Sequence, residues 1–472
     1  MNTAVSLAPR LALTRLKSRD GGAILDALAV LAFTVSTWLA LTVAGGTVMF
    51  VNRSLASGGL TDNSEPMQYV ANSEMFFAFI ACGLLVIPVL GLGAAAARLG
   101  ARGRSRRLAS LRLLGMTGAD VVSMSLVETL VQAAVGIVFG SVVYLLSLPV
   151  WQVVSFQAQQ IAAGEMLVPW WVGLAVGATV LVLAGLSTVI GLRQVRISPL
   201  GVSRSQTPRA LSAWRIVVLG VGLIVFIMVV QGMELGGGEI AAFLLIAGMI
   251  VVVVGGINLM GPFVLQMVAL PFTRTRRVAQ LVAMRRISDD PRAAWRNVSA
   301  VALITMIAAF FAVSPTGFTG DTPSAADPWG FATYTLGMDT KTGVFITLII
   351  GLVLVAVQVL MTQASGVFDR ASESVAMDRM GVPRSVFSAS RRSQVLVPLV
   401  VTLLIAATVG FLLASPFLLN ESLSRAGLAV AAEGLWQLGL VAVIGVVFTL
   451  LAAEACRPLQ ARVLGEQRRR ND

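Results

Sequence analysis

Few residues of this chain are able to support chemistry. Its 472 residues include no histidine, which removes imidazole metal sites, Ser-His-Asp triads and histidine proton relays. The only thiols are Cys82, inside an apolar run, and Cys456, beside Arg457; one pair so placed makes neither a disulfide scaffold nor a zinc site. A P-loop needs G-x-x-x-x-G-K-[ST], because its ammonium must reach the β- and γ-phosphates. The two lysines, Lys17 and Lys341, follow no glycine-rich loop, so the chain is expected neither to hydrolyse ATP by itself nor to hold a metal or cofactor. Without paired carboxylates at helical spacing or an HExxH motif, an intramembrane enzyme is disfavoured. Isolated polar groups in apolar surroundings remain, chiefly Glu128, with Gln394 in a comparable setting.

The elements that must position these groups are membrane helices. The composition is 57% hydrophobic and 12% charged, and the mean hydropathy is +0.86, outside the range of soluble globular proteins. A hydrocarbon core of about 30 Å takes roughly 20 apolar residues per helix. Ten such runs are predicted: Ile24 to Val51, Met75 to Leu99, Val121 to Leu148, Trp170 to Leu192, Ile216 to Met233, Ile240 to Ala269, Val298 to Ser314, Val344 to Thr362, Val395 to Phe417 and Leu435 to Ala455. All but Arg53, Lys341 and Arg425 of the 35 basic residues then fall on one face. The positive-inside rule makes that face, with both termini, cytoplasmic. The net charge of +12 is thus a topology signal and calls for no nucleic-acid partner.

Two loops on the basic face share a pattern. Arg106 to Asp120 and Ser372 to Val386 each read as a short amphipathic helix ended by glycine at C′, Gly115 and Gly381, before the next span begins. An offset of 266 aligns those glycines and also aligns Glu128 with Gln394. It predicts two parallel four-span blocks joined by a two-span linker, related by a pseudo-two-fold along the membrane normal. Glu128, two turns into its span, is either a switch contact between the loop helix and the bundle or a structural ion pair near the surface. The Gly136-x-x-x-Gly140 spacing invites close helix packing without identifying a function.

The residues Arg107-Leu-Ala-Ser-Leu-Arg-Leu-Leu-Gly115-Met-Thr-Gly-Ala-Asp120, followed by Glu128, resemble the helix, "LG" turn and later glutamate of the FtsX-like permease family. Met380-Gly381-Val382-Pro383, Ile197-Ser-Pro-Leu200 and Asp290-Pro-Arg292 look like further family features. These are the membrane subunits of macrolide-exporter-type ABC transporters, and the ten-span form is similar to Gram-positive peptide-resistance permeases. The resemblance implies coupling helices that seat in a groove of a separate ABC ATPase, present in two copies with its ATP and Mg. Leu108, Leu111, Arg112, Leu114 and Gly115 are the candidates in the first loop, and Met377, Arg379, Met380 and Gly381 in the second. The apolar stripe of each also suits a helix lying on lipid headgroups. The outer loops, about Asn52 to Glu74 and Pro315 to Gly343, are too short for the outer domain of many relatives.

The expected organisation is an all-α polytopic protein: a cytoplasmic segment 1–23, a first block 24–192, a linker 193–297 with two spans, a second block 298–455 and a basic tail 456–472. The expected function is the permease of a bacterial plasma-membrane transporter that expels or extracts an amphiphile, such as an antimicrobial peptide, hydrophobic drug or envelope lipid. The alternative is a non-transporting subunit that signals to a sensor kinase or cell-wall hydrolase.

Overall fold

The computed structural model describes residues 21–55, 65–83, 91–93, 95–96, 118–162, 164–196, isolated positions between 214 and 228, 239–296, 298–313, 327–369, 371–418 and 424–461. The helices are α1 (Gly21–Leu55), α2 (65–83), α3 (Gly118–Trp151), α4 (Trp170–Arg196), α5 (Glu239–Phe272), α6 (Val278–Asp289), α7 (Pro291–Arg296), α8 (Ser299–Val313), α9 (Pro328–Asp369), α10 (Ala371–Arg379), α11 (Arg384–Leu418) and α12 (Ser424–Glu454). Between α3 and α4 lies a hairpin of two short strands, β1 (Ser155–Phe156) and β2 (Gln159–Gln160). Seven of the described helices are long and apolar enough to span a bilayer: α1, α3, α4, the second half of α5, α9, α11 and α12; α8 is apolar but shorter. The chain is an all-α polytopic membrane protein.

Apolar side chains exposed along α3 (Val138, Phe139, Val142) and α12 (Leu440, Val443, Val447) have no covering element among the described residues, as faces turned to lipid require. Trp170, Trp171, Trp329 and Trp436 are likewise exposed, consistent with an interfacial belt.

The helices meet through small residues. The most extensive contacts are α1 with α3 and α8 with α11; α4 then packs on α1 and α3, and α12 on α8 and α11. A Cβ on Gly136 would stand 2.4 Å from Phe33 Cβ, and one on Gly140 2.6 Å from the Thr34 carbonyl oxygen. In the other pair, a Cβ on Gly410 would stand 2.3 Å from the Met306 carbonyl oxygen. Between lipid-like surfaces association depends on such close approach, since apolar contact alone separates helices from lipid poorly. One core joins both pairs, with Phe33 and Ala133 of α1 and α3 packed together with Ile304, Leu348 and Met361 of α8 and α9.

Gly140→Val and Gly410→Val should therefore each destabilise the protein by about 1–3 kcal/mol, the usual cost of overpacking. Gly439→Ala, which meets nothing within 4 Å, should leave the melting temperature unchanged or slightly raised. Thermal unfolding of the three variants in detergent checks this.

Two helices begin before the apolar runs predicted for them. α9 begins at Pro328 rather than near Val344, and a helix already runs from residue 65 rather than 75. Charged residues such as Asp339, Lys341 and Glu74 end an apolar run, but they do not break a backbone helix. At 42 residues α9 is about 63 Å long, twice a hydrocarbon core, so its N-terminal part stands beyond the bilayer. The described residues 65–74 and 328–343 of the two loops are thus helical.

Candidate functional site

At the arginine-rich end, α10 closes as its glycine demands. Gly381 has φ +84°; its N–H bonds the Asp378 carbonyl (3.1 Å) and that of Val382 the Met377 carbonyl (3.1 Å). This paired geometry is a Schellman motif with glycine at C′. It reverses the chain before Pro383 and lets α11 begin at Arg384. Met380 is 74% exposed, and Arg379 and Gly381 are exposed beside it, whereas Met377 is half-buried on the inner side. Glu373 anchors α10 to α6 through Arg286 (2.7 Å). The first-loop candidates, Leu108, Leu111, Arg112, Leu114 and Gly115, lie outside the described residues.

Glu128 is 4% exposed and belongs to a polar stripe of α3 with buried Ser125 and Thr129 and half-buried Gln132. The i, i+3, i+4, i+7 spacing puts them on one face, the face that Gly136 and Gly140 extend against α1. Gln132 donates to Asp26 of α1 (2.9 Å), so this acid is part of the α1–α3 contact. Gln394 is half-buried and donates to Ser390 Oγ one turn back (3.0 Å).

At the opposite, acidic end the helical extensions and the hairpin enclose a polar cluster. Arg53, at the end of α1, donates from Nη1 to the Phe156 carbonyl (2.9 Å) and from Nε and Nη2 to Glu165 Oε2 (3.1 and 2.6 Å). Phe156 also packs edge-on against Phe50. The next residue, Gln157, is 1% exposed and joins two acids: its main-chain N–H bonds Asp339 Oδ2 of α9 (2.6 Å), and its Nε2 bonds Glu74 Oε2 of α2 (2.8 Å). Glu74 and Asp339, 4% and 7% exposed, converge on the same Gln157, and two ionised carboxylates buried side by side repel each other. Burial, reinforced by Asp339, holds the Glu74 carboxyl well above the usual carboxylate range, despite opposing contributions from Gln157 and Arg53. Gln157 and Ala158 form the hairpin turn with φ 59° and 57°, left-handed values that non-glycine residues adopt at a cost. The contacts to Glu74 and Asp339 hold that turn in place. The cluster thereby ties α1, α2 and the hairpin to α9.

A family model of the FtsX-like permease C-terminal region matches residues 75–200, the stretch that runs from α2 through the first basic loop, α3, the hairpin and α4. The chain carries an FtsX-like permease domain. No curated protein matches the chain. The match covers residues 75–200 and points to a membrane permease-type subunit. Within the matched region lie Glu128, the Gly136–Gly140 contact with α1 and Gln157 of the acidic-end cluster.

Sequence reasoning missed this acidic-end cluster because its members come from four elements, α1, α2, the hairpin region and α9, with no shared periodicity. Arg53 was the available signal, since a lone arginine at a span end on the acidic side needs partners nearby.

Proposed function

We propose that this chain is the membrane subunit of an ABC transporter in the bacterial plasma membrane, driven by two copies of a separate ATPase. It expels or extracts an amphiphile such as an antimicrobial peptide, a hydrophobic drug or an envelope lipid. The observation that carries the reading is the FtsX-like permease match over residues 75–200. ATP and Mg belong to the partner, because this sequence has no Walker A lysine. The apolar, lipid-facing surfaces suit a substrate that enters sideways from the bilayer.

In this reading the ten spans form two four-span blocks with both termini cytoplasmic. Matching helix pairs support it: α1–α3, α1–α4 and α3–α4 correspond to α8–α11, α8–α12 and α11–α12. So does the burial register, since buried Ser125, Thr129, Ala133, Gly136 and Gly140 of α3 stand 266 residues before buried Arg391, Val395, Leu399, Thr402 and Ala406 of α11. One chain would then present both coupling helices, the first around Leu111 and Leu114, the second around Met377 and Met380. The helical outer extension of α9 gives weight to a second reading, in which hydrolysis moves that outer region to signal to a sensor kinase or cell-wall hydrolase.

Purification of the tagged chain from its native membrane tests the proposal. It should retain an ABC ATPase, native mass measurement should give one copy of the chain with two of the ATPase, and proteoliposomes should move a labelled amphiphile with ATP. Absence of any ATPase would overturn both readings. An ATPase that cycles without transport would select the signalling one.

A further inference from the structure

At the arginine-rich end a cavity of about 250 Å³ opens between α6, α7, the C-terminal turns of α9, α10 and the start of α11. One of its linings is a buried cation without a matching anion. Arg391 is 7% exposed; its Nη2 donates to Gln460 Oε1 (2.6 Å), and its Nη1 has no acceptor among the described residues. The nearby carboxylate, Glu454, is engaged by Arg392 (2.5 Å) and Arg457. Arg286 also lines the cavity, paired with Glu373. The one carboxylate among the lining residues, Asp290, accepts the Ala293 N–H that caps α7 (3.0 Å). The cavity walls thus carry two guanidinium groups against one committed acid.

An arginine removed from water is costly unless an anion meets it, and a guanidinium offers the fork of donors that suits phosphate oxygens. The lining also includes apolar Val278, Val282, Val367, Val386 and Phe387. Whole small-molecule sites are typically about 300–1,000 Å³, so this volume suits a headgroup whose chains lie outside along the helices. We propose that this cavity is a binding site for a phosphate group, held by Arg391 and supplied by an anionic phospholipid or by free phosphate. Ser374 and Met377 of α10 line the same cavity, so an occupant braces that helix from behind. The consequence for transport rests on α10 being an ATPase-docking element; the binding itself does not.

The test uses the full chain in detergent, with phosphatidylglycerol, diacylglycerol or inorganic phosphate as probe, read by native mass spectrometry and thermal unfolding. The wild type should retain phosphatidylglycerol at least tenfold better than diacylglycerol. Arg391→Gln should lose that preference, and so should Val386→Trp, which fills the cavity without touching the cation and decides the matter if Arg391→Gln fails to fold. Displacement of the lipid by millimolar phosphate, or stabilisation by phosphate alone, identifies the free ion as the source; retention of the lipid in phosphate identifies the headgroup. No preference in the wild type, or a preference kept by either folded variant, overturns the proposal, whether or not an ATPase copurifies.

Discussion

Asp339→Ala is expected to lower stability by about 1–3 kcal/mol, because it leaves the buried Gln157 N–H without its acceptor. Glu74→Gln is expected to behave differently. Its amide oxygen can still accept from Gln157 Nε2, and its amide N–H can donate to Asp339, so it imitates the protonated carboxyl. The wild-type junction should be pH-dependent. The folded protein keeps the Glu74 proton at pH values where an unfolded chain, with the ordinary pKa of 4.5, has released it. The folded state then binds more protons than the unfolded one, so stability falls as pH rises from near 4.5 through the raised folded value. Arg53 and Asp339 face the same carboxyl, and Arg53 is itself paired with Glu165, so ionised Glu74 competes for a cation already engaged. Melting temperatures in nanodiscs between about pH 5 and pH 8 should fall for the wild type and fall less steeply for Glu74→Gln. Equal slopes for the two proteins would show that Glu74 does not carry the proton.

That junction was the least legible part of the molecule in its sequence. The membrane character, and the apolar cores of α1, α3, α4, α9, α11 and α12, follow from hydropathy, because about 20 uninterrupted apolar residues have few other uses. The close approach at Gly136 and Gly140 follows from small-residue spacing, and the Gly381 turn from glycine at a helix C′ position. Each of these is a local rule written within a few turns of chain. Hydropathy cannot show where a helix continues past its apolar stretch, which is why the apolar run starts at Val344 although α9 starts at Pro328. Nor does it show contacts such as Glu74–Gln157 and Gln157–Asp339, where a hairpin strained at Gln157 and Ala158 is fixed by residues from distant helices. The strained turn and the buried acids occur together, and neither is explained without the other.

The largest effect on assembly is expected from the exposed tip of α10. Met380 is 74% exposed in the isolated chain, held outward by the Gly381 turn, and a fully buried side chain of this size contributes about 1.5–3 kcal/mol. If it seats in an ATPase groove, Met380→Asp should weaken binding by about 10- to 150-fold, and a buried unpaired carboxylate would weaken it further. Met377 is half-buried towards the bundle, so Met377→Ala should cost stability and leave ATPase affinity nearly unchanged. The sequence alone joined both methionines in one docking stripe; their different exposure separates them. Gly381→Val should also reduce coupling, because φ +84° strains a β-branched residue and loosens the joint through which α10 would push on α11. Affinity for the purified ATPase and substrate-stimulated hydrolysis in nanodiscs separate these effects, with the double variant Leu111→Asp and Leu114→Asp testing the first loop. A helix lying on headgroups predicts weaker lipid contact with the ATPase still bound and stimulated. If Met380→Asp and the double leucine variant both keep the partner at wild-type affinity, neither loop docks it, and the force of hydrolysis must enter the bundle elsewhere.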